Sequence, residues 1–136
     1  MTFDTKVAVL IRDDLLVWQK LNVACFVAGG LVAQFPILAG EPYVDASGRQ
    51  YGPMIRQPVL VFSADAAQLT KALQRAEQRG LRAVIYTEGL FATGNDVDNR
   101  AVVASLATEA LDLVGIAVHG PKKDVDKVTD GLKLHR

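Results

Sequence analysis

Four short runs of apolar residues stand out along the chain, at 7–11, 59–62, 83–86 and 113–118. None alternates with polar positions, and all are rich in Val, Ile or aromatic residues. A strand that faces water on one side alternates, whereas a strand covered on both faces does not. The four runs therefore predict a central sheet between helical layers.

The segments between them predict helices. Residues 20–34 are apolar almost all round, with Leu21, Ala24, Ala28, Leu31 and Phe35 on one side and Val23, Phe26 and Val27 over much of the rest. Such a helix is expected to be covered on several sides, in the domain or at a subunit contact. Gly29-Gly30 weakens it, which close approach of another backbone would explain, and Pro36 marks its end. A second helix opens with Asp65 and Gln68, a capping-box pair. It buries Leu69, Ala72, Leu73 and Ala76 and closes at Gly80. A third is expected from Asp96 to about Ala110, burying Val102, Leu106 and Ala110, and a short last one over 124–130, ended by Gly131. Between them, Tyr43-Val44 and Gln50-Tyr51 flank Asp45-Ala46-Ser47-Gly48, a hairpin signal.

The alternation of strands and helices predicts a three-layer α/β/α fold with a mixed, mostly parallel sheet. At 136 residues the chain fits one domain, 1–136. Fifteen basic residues balance fifteen acidic ones. That argues against nucleic-acid binding, where phosphate neutralisation supplies much of the affinity, and it favours self-association. One cysteine excludes an internal disulfide framework, and no run is long and apolar enough for a membrane helix or a signal-peptide core. The expectation is a cytoplasmic protein.

No Walker loop, G-x-G-x-x-G, G-x-S-x-G or metal-spaced Cys/His pair is present, so no motif implies a cofactor or metal. Cys25, amid Val23, Ala24, Phe26 and Val27, is expected to be buried and inert. His119, after an apolar run and before Gly120-Pro121, is expected to pack or cap. Polar residues gather instead after the first and third strands: Lys20 and Asn22, then Thr87, Glu88 and Thr93. Ligands of open α/β sheets bind outside strand carboxyl ends. If those two strands are parallel neighbours, the five residues border one crevice for an unknown small molecule.

Two resemblances attach to these residues. Arg12-Asp13-Asp14-Leu15 followed by Lys20 resembles the opening of type II peptidyl-tRNA hydrolases. Gly120-Pro121, Val125-Asp126-Lys127-Val128-Thr129 and Leu132-Lys133-Leu134 are similar to their closing motif. Across nearly the whole chain, Trp18-Gln19-Lys20-Leu21-Asn22-Val23, Tyr43, Gly48, Pro58-Val59, Arg75-Ala76 and Phe91-x-Thr93 resemble a bacterial domain-of-unknown-function family, number two thousand. That resemblance implies the hydrolase-like fold and no established activity.

The departures bear on chemistry. Thr87-Glu88-Gly89 stands where the hydrolases carry D-A-G, and a threonine is no general base near neutral pH. Ala24 and Val27 replace their glutamine and histidine, and Leu111-Asp112-Leu113-Val114 replaces a threonine-bearing segment. Of the catalytic set implied by the resemblance, Lys20 remains. Three readings follow: a ligand crevice without peptidyl-tRNA hydrolysis, an ester hydrolase using Lys20 and Glu88, or a non-catalytic homodimeric binding module.

Overall fold

The computed structural model describes residues 2–136; Met1, the first residue of the predicted domain 1–136, lies outside them. The chain begins with strand β1 (Thr5–Arg12) and helix α1 (Val17–Gln34), followed by a 3-10 turn at Pro36–Leu38. The hairpin comes next, as β2 (Tyr43–Val44) and β3 (Gln50–Tyr51), then β4 (Val59–Ala64) and α2 (Ala66–Gln78). Strand β5 (Val84–Thr87) runs into a 3-10 segment, Glu88–Ala92, and α3 (Asp96–Ala104). The remainder is β6 (Leu113–Pro121), α4 (Lys122–Val128) and β7 (Lys133–Leu134).

The four predicted apolar runs fall on β1, β4, β5 and β6, with Ala83 alone just outside its strand, and the sheet order is β5-β6-β1-β4-β7. The sheet is mostly antiparallel, not mostly parallel. Only β1–β4 is a parallel pair, while β1–β6, β5–β6 and β4–β7 are antiparallel. The reason lies in α3. It buries none of its residues, so it is no crossover helix, and β6 returns beside β5 in the opposite sense. It also ends at Ala104 rather than near Ala110, and Leu106 and Ala110 are exposed; Val102 alone of the three packs on the core.

Alternate residues of β1 join two separate cores. Val7, Val9 and Ile11 pack with Val23, Val27 and Leu31 of α1. Ala8 and Leu10 pack with Leu69, Ala72 and Ala76 of α2 and with Val125 and Val128 of α4. Burial on both faces removes the polar half of the strand pattern, which is why the runs are continuous.

The buried stripe of α1 is Val23, Val27 and Leu31, a quarter-turn from the stripe read in the sequence. Leu21 and Phe26 are exposed, and so is Cys25, which is not the buried thiol expected. A helix apolar all round carries no phase of its own, so the sheet selects its buried face. Gly115 of β6 shows how close that contact is: a Cβ there would overlap Val23 Cγ1.

Helix α2 follows its local signals. Gln68 N–H donates to Asp65 Oδ1 at 2.8 Å and Asp65 N–H to Gln68 Oε1 at 2.9 Å. Gly80 takes φ +69°, a conformation glycine adopts freely. His119 packs its ring edge-on to Phe35, with centroids 4.7 Å apart. Burial, assisted by the charge of Arg56, lowers its pKa from 6.5. Among the described residues no helix is long and apolar enough to cross a membrane.

Candidate functional site

The pairing senses make β1, β4 and β5 point the same way, so their carboxyl ends share one edge of the sheet. They are not all neighbours, because β6 lies between β1 and β5. Arg12 closes the end of β1. Its Nε donates to Asp14 Oδ1 at 2.8 Å, and its Nη1 to Asp112 Oδ1 at 2.6 Å and Leu113 O at 3.3 Å. The Arg12 bond holds the Asp14 carboxyl below its ordinary pKa. Arg12 thus ties the end of β1 to the start of β6.

Helix α1 divides the space above this edge. Lys20 and Asn22 are two residues apart, about 200° around a helix, and they enter different cavities. Lys20 lines a cavity of about 470 Å³ beside β4 and β7. Asn22 and Thr93 together line one of about 350 Å³ between α1 and the segment from β5 to α3. Thr87 lines neither cavity; it is 2% exposed, and its buried Oγ1 has no hydrogen-bond partner. Glu88 is exposed and lines neither cavity; its N–H donates to Asp112 O at 2.9 Å. Asn22 and Thr93 thus line one cavity, Lys20 lines another, and Thr87 and Glu88 line neither.

The Asn22 cavity has an aromatic wall that the sequence reading missed. Tyr86 lies 5.1 Å from Phe91 and 5.8 Å from Phe26, centroid to centroid, and Trp18 stands edge-on to Phe91 at 5.8 Å. Asn22 Nδ2 donates to Tyr86 Oη at 3.3 Å. Burial raises the pKa of that phenol, and the Asn22 bond opposes the rise. The hydroxyl keeps its proton at neutral pH and can donate to a ligand. Thr93 Oγ1 donates to Leu90 O at 2.9 Å and also contacts Asn99 Oδ1.

A larger cavity, about 880 Å³, continues from this one and shares Phe26, Tyr86, Leu90, Asp96 and Asn99 with it. Its walls are α1, the edge strand β5 and α3. The glycine pair in α1 has two different roles here. A Cβ on Gly30 would come within 2.8 Å of Val84 Cγ1, so Gly30 admits a side chain of β5 rather than another backbone. Gly29 has nothing within 4 Å and leaves the cavity open. The spacing of Trp18, Asn22 and Phe26, one every four residues, was the sequence signal for this wall.

Residues 5–136 match the family described as Protein of unknown function (DUF2000). The chain belongs to that family. A solved structure of a protein of unknown function from Agrobacterium tumefaciens strain C58 is 45% identical to it, with a TM-score of 0.96. The likeness covers 99% of this chain and 100% of that one. No curated protein matches. Within this DUF2000 chain, Trp18-Gln19-Lys20-Leu21-Asn22-Val23 forms the first turns of α1, where it supplies Lys20 to one cavity and Trp18 and Asn22 to the other.

Proposed function

We propose that this DUF2000 chain is a single-domain small-molecule-binding protein of the cytoplasm, without peptidyl-tRNA hydrolase activity. Its architecture is the three-layer α/β/α arrangement of the type II peptidyl-tRNA hydrolases. Its ligand lies in the crevice between α1 and the β5–α3 segment, with an apolar or aromatic body and a polar end. The observation that carries this reading is the crevice itself. Two contiguous cavities of about 880 and 350 Å³ have the size, apolar walls and few polar groups typical of ligand sites. Asn22, Tyr86 and Thr93 supply those groups at one end.

The test uses Gly29. A side chain there enters open space, so Gly29→Leu is expected to fill the crevice without straining the fold. Replacing a helical glycine should raise stability by about 0.5–1 kcal/mol. A set of aromatic alcohols screened by NMR should shift the single indole signal, that of Trp18, in the natural chain and leave it unmoved in the variant. A variant that binds the same compounds equally well would place their site elsewhere.

A second reading, a two-fold homodimer, is favoured by the outer face of α1. Val17, Trp18, Leu21 and Phe26 are 73%, 58%, 63% and 57% exposed, on a helix whose only charged residue is Lys20. Exposed apolar patches of this kind mark contact surfaces, and two-fold dimers are the commonest assembly. Leu21→Asp is expected to convert a dimer to a monomer in light scattering at about 10 μM, well above a nanomolar dissociation constant. A natural chain that is already monomeric at that concentration removes this reading.

A further inference from the structure

We infer that the cavity on the other side of α1 is a binding site for a phosphate monoester. It shares no residue with the crevice and does not depend on it. It lies at the carboxyl ends of the parallel pair β1 and β4. Ile11, Ser63 and Lys133 are register partners across β1, β4 and β7. Their side chains therefore share the sheet face on which α1 packs, and Lys20 descends from α1 onto the same space.

The charges there are unbalanced. Lys20, Lys133 and Arg136 line the cavity against one carboxylate side chain, Asp13, in a chain whose net charge is zero. Among the described residues none of the three cations forms a salt bridge, and of the carboxylates near the end of β1, Asp14 and Asp112 are both paired with Arg12. Lys20 also stands in the first turns of a helix, where the dipole disfavours a cation.

Among the described residues the one side-chain hydrogen-bond partner of Lys20 is the His135 ring. His135 Nδ1 lies 2.8 Å from Arg136 O and so donates to it. That leaves Nε2 to accept from Lys20 Nζ at 3.3 Å. The bond holds the ammonium in place without neutralising it, and an anion would displace it at small cost. Ser63 adds a hydroxyl to the lining. Gln68, whose Oε1 is taken by the Asp65 amide, has its NH₂ left to donate. An excess of two positive side chains matches a phosphate monoester, which carries about −1.5 to −2 at pH 7. About 470 Å³ accommodates the phosphate and a small organic group.

Phenyl phosphate and benzoate, which present two anions on the same ring, separate phosphate from carboxylate recognition. In an amide NMR titration phenyl phosphate should bind saturably, with shifts centred on Lys20, Ser63, Lys133 and His135, and more tightly than benzoate. Losing one hydrogen bond to a charged group, Lys20→Met should weaken it about 10- to 100-fold. The variant should melt no lower than the natural chain, since one of two facing cations is gone. Lys133→Ala should weaken binding in the same direction and supplies the test if Lys20→Met misfolds. Diffuse, unsaturated shifts, unchanged affinity in both variants, or benzoate binding as tightly as phenyl phosphate would each overturn the assignment.

Discussion

Gly115→Ala is expected to cost about 3 kcal/mol, the upper part of the range for overpacking a core. For a chain of this length that is a fall of roughly 10 °C in Tm. The added methyl would overlap Val23 Cγ1, the first buried residue of α1. Neither side can yield easily. Gly115 lies in the interior strand β6, paired with Ile11 on one side and Tyr86 on the other, and α1 is held by Val27 and Leu31 as well. The strain must lift the helix from the sheet or bend the strand. Removing the other partner should relieve it. Val23→Ala alone creates a cavity and is expected to cost about 2 kcal/mol, but combined with Gly115→Ala the two losses should fall short of their sum by at least about 1 kcal/mol. Denaturant unfolding of the four proteins measures this coupling. A Gly115→Ala protein within about 0.5 kcal/mol of the natural chain, the scatter of neutral substitutions, would mean that α1 does not rest on β6 at Gly115.

On peptidyl-tRNA, the purified protein is expected to turn over at least about 100-fold more slowly than a typical enzyme rate of about 1–1,000 per second. General acid–base catalysis contributes roughly 10²–10⁴-fold and needs the base within about 3 Å of the proton it takes. Thr87, where the hydrolases resembled by the two ends of the chain carry an aspartate, is buried and has no such base. Glu88, next in sequence, is exposed and lies away from the cavity of Lys20. Lys20 and Asn22 serve opposite sides of α1, so a substrate held by one is not held by the other. Thr87→Asp is therefore expected to restore no activity, and a buried, unpaired carboxyl should destabilise the fold instead. Deacylation of N-acetylated aminoacyl-tRNA at micromolar enzyme measures both proteins. A natural chain with kcat near about 1 per second would refute this reading.

The elements legible in the sequence are those whose causes are local. Residues 113–118 read as a strand because burial on both faces leaves a continuous apolar run. The start of α2 was readable because Asp65 and Gln68 satisfy each other's amides three residues apart. The turn at 45–48 was readable because Asp45 accepts from the amides of Ser47 and Arg49 while Gly48 takes φ +83°.

Features that depend on distant residues were not legible. The apolar pattern of β6 is the same in either direction, and its antiparallel place between β1 and β5 depends on α3 leaving the sheet uncrossed. Strand β7 is two residues long and exists through its pairing with β4, which carries Lys133 and His135 to Lys20 from more than a hundred positions away. Helix α1 is the plainest case. Its composition was evident, but an all-round apolar helix can bury any face, and Gly115 decides which by leaving room for Val23. That choice sends Lys20 to one side of the helix and Asn22 to the other, so residues expected to border one crevice line two cavities.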